Sequence, residues 1–135
     1  MRKILVIHHD AKFLSQVDSS LSQAGFEVRT SQSISKAILE FREILPDLVI
    51  WDVAKKDGFE DICRMQEKTS VSIIVVGEYP SREGWVKATE AGADLYLEEP
   101  VSPVEMVARV KAIMRRKKSS DNFDLICPNI GGTVQ

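Results

Sequence analysis

The chain has little of what usually gives away a specialised protein. Only two of its 135 residues are cysteine, Cys63 and Cys127, and they lie far apart with no metal-binding or redox spacing. A disulfide-stapled secreted fold is excluded, and both thiols are expected reduced, packed as small apolar groups in a cytosolic protein. Long hydrophobic runs are missing, so no membrane span is expected. Met1-Arg2-Lys3 leads only into Ile4 to Ile7, too short for a signal-peptide core. Neither charge sign is in excess: 18 Lys and Arg stand against 20 Asp and Glu, net −2. That balance gives no global reason for nucleic-acid binding. The basic cluster Arg115 to Lys118 ends a helix, where it suits the helix dipole. The chain contains no internal repeat and no low-complexity tract.

What is present is an ordinary globular composition, 44% hydrophobic and 28% charged, with enough length for one domain with a proper core. Ile4 to Ile7 reads as a buried strand ended by His8-His9-Asp10, and Phe13, Leu14, Val17, Leu21 and Ala24 mark a helix stopped by Gly25. Phe26 to Thr30 alternates as a short edge strand. Ser33 caps a second helix carrying Ile34, Ala37, Ile38, Phe41 and Leu45, ended by Pro46. Leu48-Val49-Ile50-Trp51-Asp52 is an apolar run into one carboxylate, the pattern of a central strand buried on both faces. A weaker helix with Phe59, Ile62 and Cys63 follows the polar loop Lys55-Lys56-Asp57-Gly58. Val71 to Val76 is a further buried strand ended by Gly77; Ser81 to Gly92 brackets a helix; Leu95 to Leu97 is a short strand. Ser102-Pro103-Val104-Glu105 starts the last helix, with Val107, Val110, Ile113 and Met114.

Strand and helix alternating in this way predict an α/β fold: a doubly wound five-stranded parallel sheet, order 2-1-3-4-5, flanked by five helices. The domain is expected over residues 1–116. Residues 117–135 read as a linker and tail, with a strand-like patch at Phe123, Leu125 and Ile126, or as the start of a C-terminal output domain. Asp52 ends the central strand, on the edge where such sheets place their ligands, and is either a reactive group or a cap on the next loop.

Over roughly residues 2–116 the chain resembles a response-regulator receiver domain, of flavodoxin-like (CheY-like) fold. Lys3 to Ile7 resembles the first strand and Pro46-Asp47 through Asp52 the strand bearing the phospho-acceptor. Asp57-Gly58 matches the next loop, and Glu90-Ala91-Gly92-Ala93-Asp94 with Tyr96 and Pro100 is the most specific stretch. Ser102-Pro103 and Ala108-Arg109-Val110 through Arg115-Arg116 are most similar to the winged-helix (OmpR/PhoB) subfamily. The resemblance implies phosphoryl transfer from a histidine kinase to Asp52, with Mg²⁺ held by Asp52 and an acidic pair, a Thr or Ser on the phosphate, and a Lys paired with it.

Most of that chemistry is altered here. The acidic pair maps onto His8-His9, followed by Asp10; the hydroxyl residue maps onto Gly77; the lysine maps onto Glu99. Glu99 would set a negative charge where a phosphate needs a positive one, reversing an interaction of roughly 4 kcal/mol at about 4 Å and an effective dielectric near 20. Neither a cofactor nor a metal is expected, Mg²⁺ being needed only if Asp52 is a working acceptor. His8 or His9, protonated, is expected to pair with Asp52 or Glu99 in place of the metal; the plain alternative is a pair of partly exposed loop residues.

The subfamily resemblance further implies a dimer face at Lys87, Glu90, Asp94, Arg109, Arg115 and Arg116, whose opposite charges can complement each other across a two-fold axis. The sequence therefore reads as an atypical, non-enzymatic receiver acting in signal transduction and transcription regulation through protein contact, as a homodimer. DNA is reached only through a further C-terminal domain. Two alternatives stay open: a phosphorelay receiver phosphorylated on Asp52 by a histidine kinase, and a metal- or ligand-sensing domain, with His8, His9, Asp52 and Glu99 as the metal ligands.

Overall fold

The structure, a computed structural model, describes residues 2–52, 71–77, 86, 90 and 92–126, with Ile34 and residues 117–126 described by backbone alone. Five parallel strands form one sheet: β1 (Lys3–Ile7), β2 (Glu27–Ser31), β3 (Leu48–Asp52), β4 (Ser72–Gly77) and β5 (Leu95–Glu98), in the order β2-β1-β3-β4-β5. Three helices are described, α1 (Ala11–Gln23), α2 (Ile34–Ile44) and α3 (Pro103–Ile126). Val86 and Glu90 are helical; the rest of their expected helix up to Ala91, and the one expected around Phe59 to Cys63, lie outside the described residues. So do Lys55, Lys56, Asp57, Gly58, Lys87 and Cys127.

Strand periodicity sorts the core into two layers. Ile4, Val6, Leu48, Ile50, Ile74 and Val76 face α1 and α3, meeting Leu14, Val17, Leu21, Met106 and Val110. Leu5, Ile7, Val49, Trp51, Ile73 and Val75 face the other way and pack on Ala37, Phe41 and Ile44 of α2. β3 and β4 are buried along their whole length, as continuous apolar runs require. Each fully buried aliphatic side chain contributes roughly 1.5–3 kcal/mol.

Two aspartates close the sheet's far edge, where the strands begin. Asp47 Oδ2 accepts the Lys3 N–H at 2.8 Å, and its own N–H donates to the Lys3 carbonyl at 2.8 Å. Asp94 does the same for Ile73, its carboxylate and its N–H both bonding that residue's backbone at 2.8 Å. These bonds satisfy backbone groups that the ladder leaves open at strand starts.

Two local expectations need correcting. Leu45, expected on the inward stripe of the second helix, is instead the C-cap of α2 with φ 50° and is 66% exposed. Pro46 disfavours right-handed helix at the residue before it, so the chain turns there, and Ile44 fills the core position. The last helix runs on to Ile126, so Phe123, Leu125 and Ile126 are helical rather than strand-like. Ser119 to Asn122 is polar but contains neither glycine nor proline, and no such breaker comes before Pro128.

Candidate functional site

The C-terminal ends of β1, β3, β4 and β5 bring together His8, His9, Asp52, Gly77 and Glu99. Register explains how. Asp52 continues the Leu48–Ile50 face of β3, and His8 continues the Ile4–Val6 face of β1, so both side chains stand on the side covered by α1 and α3. Asp52 is 1% exposed and His8 2%. Gly77 pairs with Glu98 in the sheet, and its carbonyl accepts the Glu99 N–H at 2.7 Å, fixing the exit of β5. The Glu99–Pro100 peptide is cis.

A buried carboxylate needs partners. One oxygen of Asp52, Oδ2, takes two donors from His9: the backbone N–H at 3.0 Å and ring Nδ1 at 2.5 Å. The His9 ring is 55% exposed, so its proton exchanges with solvent while its bonded edge reaches inward. The bond from Asp52 raises the His9 pKa above its ordinary 6.5; burial opposes this, and the charges of Asp52, Glu99 and Asp10 add to it. The His9 carbonyl is held by Gln32 Nε2 at 2.8 Å.

His8 is held differently. Its Nδ1 accepts the Asp10 N–H at 3.0 Å, so the proton is on Nε2, which donates to Glu99 Oε1 at 2.7 Å. This is a hydrogen bond from a neutral imidazole to a carboxylate rather than an ion pair. The ring lies between those of Phe13, at a centroid distance of 4.0 Å, and His9, at 4.6 Å, with interplanar angles of 21°. The plain expectation of partly exposed loop histidines thus fails for His8, which strand alternation carries one residue further into the core. Asp10 serves α1 instead of facing the pocket: its side chain caps the helix by accepting the Lys12 N–H at 2.9 Å.

The Mg²⁺ implied by the resemblance does not fit these residues. A hard cation wants several oxygen ligands. Both nitrogens of His8 are engaged, and Asp52 Oδ2 already takes two donors. A softer transition metal fits little better. Donor atoms of His8, His9 and Asp52 do lie within 4.8 Å of one another. Imidazole lone pairs lie in the ring plane, however, and two stacked, nearly parallel rings do not aim theirs at one ion. A metal on His8 Nε2 would also move the ring proton to Nδ1, against the Asp10 N–H.

Of the residues expected on the dimer face, Glu90, Arg109, Arg115 and Arg116 are exposed. Arg109 lies 3.7 Å from Glu105 one turn back on α3, and Asp94 is engaged with Ile73. Sequence reasoning missed Phe13 as a wall of the site and Gln32 as a support; the inward stripe of α1 pointed to Phe13, and nothing local pointed to Gln32. Among the described residues, no helix is long and apolar enough to cross a membrane.

The geometry matches known proteins closely. The chain is similar to the phosphate regulon transcriptional regulatory protein PhoB of Escherichia coli, 31% identical over 120 residues, covering 85% of this chain and 52% of PhoB. It thus spans about half the length of the curated relatives it matches. The fold is shared with a CheY-like receiver domain protein from Methanospirillum hungatei at TM-score 0.80 and 23% identity, covering 89% of this chain and 98% of that one. It is also similar to DrrB, an OmpR/PhoB homologue from Thermotoga maritima, at TM-score 0.74 and 34% identity, covering 87% of this chain and 54% of DrrB. The response regulator receiver domain model matches residues 4–111, from the second residue of β1 into α3. By sequence and sheet order, the chain belongs to the response regulator receiver domain family, a signalling rather than an enzymatic family.

Proposed function

We propose that this receiver domain signals by protein–protein contact, as a homodimer, without conventional phosphorylation of Asp52. The observation that carries the reading is Asp52 Oδ2 taking both donors of His9. A phosphoryl group arriving there would have to displace His9 and would meet Glu99, which is only 14% exposed, where the family resemblance implies a lysine. The dimer forms through β5, the outer side of α3 and the helix of Val86 and Glu90, where Glu90 faces solvent along with Arg109, Arg115 and Arg116. Opposite charges on one surface support a two-fold contact.

The curated relative PhoB is a transcriptional regulatory protein and extends well beyond the matched half. By that analogy this domain acts in the cytoplasm, in transcription regulation, ahead of an output module that is the part touching DNA. A histidine kinase is its partner only if Asp52 does accept phosphate.

Sedimentation equilibrium, with and without Mg²⁺ and acetyl phosphate, tests this reading. The expected result is a monomer–dimer equilibrium that the additives leave unchanged. A chain that dimerises only with both additives would be a working phospho-acceptor, and the proposal would fail.

A further inference from the structure

The His8–Glu99 bond joins parts of the molecule that the chain leaves 91 residues apart. On one side, His8 follows β1, stacks on Phe13 of α1 and accepts the N–H of Asp10, the residue that caps α1. On the other, Glu99 sits in the short segment between β5 and α3. Its N–H is tied to Gly77, and three residues on Ser102 opens α3 by accepting the Glu105 N–H at 3.1 Å. Met106, one turn into α3, is fully buried against the sheet. Whatever fixes Glu99 therefore fixes the direction in which β5 hands over to α3.

We infer that His8 is a positioning residue: as a neutral Nε2–H donor to Glu99 it struts the β5–α3 junction in one arrangement, with no ligand needed. The inference rests on the proposed dimer reading for its consequence, because β5 and α3 are the elements of that face. The geometry supplies the reason. His8 is buried, its ring is clamped between two others, and its Nδ1 is used by a backbone N–H, so the donor on Nε2 has one orientation. A partly buried carboxylate facing a fixed donor loses little freedom when it binds, so the contact is stronger than an exposed pair.

The charge-reversed arrangement makes a chemical prediction. The strut needs a hydrogen-bond donor at position 8 and not a positive charge. His8→Gln keeps an N–H donor, and His8→Phe keeps a ring in the stack but removes the donor. Glu99→Val removes the acceptor from the partly exposed side and covers the case in which His8→Phe fails to fold.

The test is amide hydrogen exchange over residues 95–102 of the full chain, run beside sedimentation equilibrium. His8→Phe and Glu99→Val are expected to speed exchange in that segment by about ten-fold relative to the amides of β1 and β3, consistent with one lost charge-assisted hydrogen bond. Both are expected to weaken the dimer by a similar factor, and His8→Gln to recover most of each effect. Exchange that rises uniformly across the sheet, or His8→Gln behaving like His8→Phe, would show His8 to be packing only and overturn the inference. A wild-type chain that never dimerises would remove the proposed function, while the exchange data would still decide whether the strut exists.

Discussion

Asp52 and His9 show how a single pairing redirects a site. Asp52 is bonded in a buried place by a donor that is itself half exposed, so the pair is open to protons through the His9 ring while the carboxylate is shielded from water. Because the folded His9 pKa lies above 6.5, its contribution to stability is fully present below that unfolded value and is lost as pH rises through the folded one. His9→Ala is therefore expected to cost about 1 kcal/mol at pH 5, a figure kept low for the half-exposed ring, and less at pH 8. Urea unfolding at the two pH values measures it, and an equal cost at both would be the wrong result. In Asp52→Asn, the His9 ring should titrate lower by proton NMR, nearer the ordinary histidine value. The sequence made it legible that, against the family resemblance, histidines stand at the acidic positions near Asp52 and an acid at the lysine position. It did not reveal which histidine met which carboxylate. That follows from one backbone N–H, of Asp10, which settles the ring proton of His8, and from the depth to which strand alternation carries His8.

At the scale of elements, buried strands and capped helices were readable because each is dictated locally. β3 and β4 are continuous apolar runs, α1 and α2 carry inward stripes, Ser33 caps α2, and Gly25 takes φ 99° just past the end of α1; the cap of α1, Asp10, reads from the sequence as part of the pocket instead. The ends were harder. Leu45 takes a positive φ that a leucine adopts at a cost of roughly 1 kcal/mol, and it is mostly exposed. Leu45→Gly should leave stability unchanged or raise it by up to about 1 kcal/mol, the relief of strain outweighing glycine's greater unfolded freedom. A loss beyond about 1 kcal/mol in urea unfolding would mean that the Leu45 side chain packs more than its exposure shows. Asp94 reads as a surface charge from sequence, yet it holds the start of β4. Asp94→Ala should cost about 1–2 kcal/mol through the unpaired Ile73 N–H, and Asp94→Asn, which keeps an acceptor, should cost less. The reach of α3 past Arg116 was missed because a polar stretch resembles a linker in composition, although it holds no residue that breaks a helix.

Across the whole molecule, the family's sheet order is kept, and the proposed function turns on the side chains at its C-terminal edge. β1 to β5 keep the order 2-1-3-4-5, and two apolar layers enclose the sheet. At the edge, a histidine proton stands where a divalent cation is implied, and a carboxylate stands where a lysine is implied. On the proposed reading, the side chains themselves set the β5–α3 face in place of a ligand. Whether the edge is closed to a phosphoryl group is read by titrating the isotope-labelled chain with beryllofluoride, a phosphoryl mimic, in the presence of Mg²⁺, followed by amide NMR. The signals of His8, His9, Asp52, Gly77 and Glu99 are expected to stay where they are. Saturable shifts at those residues, spreading into β5 and α3, would contradict the proposed function.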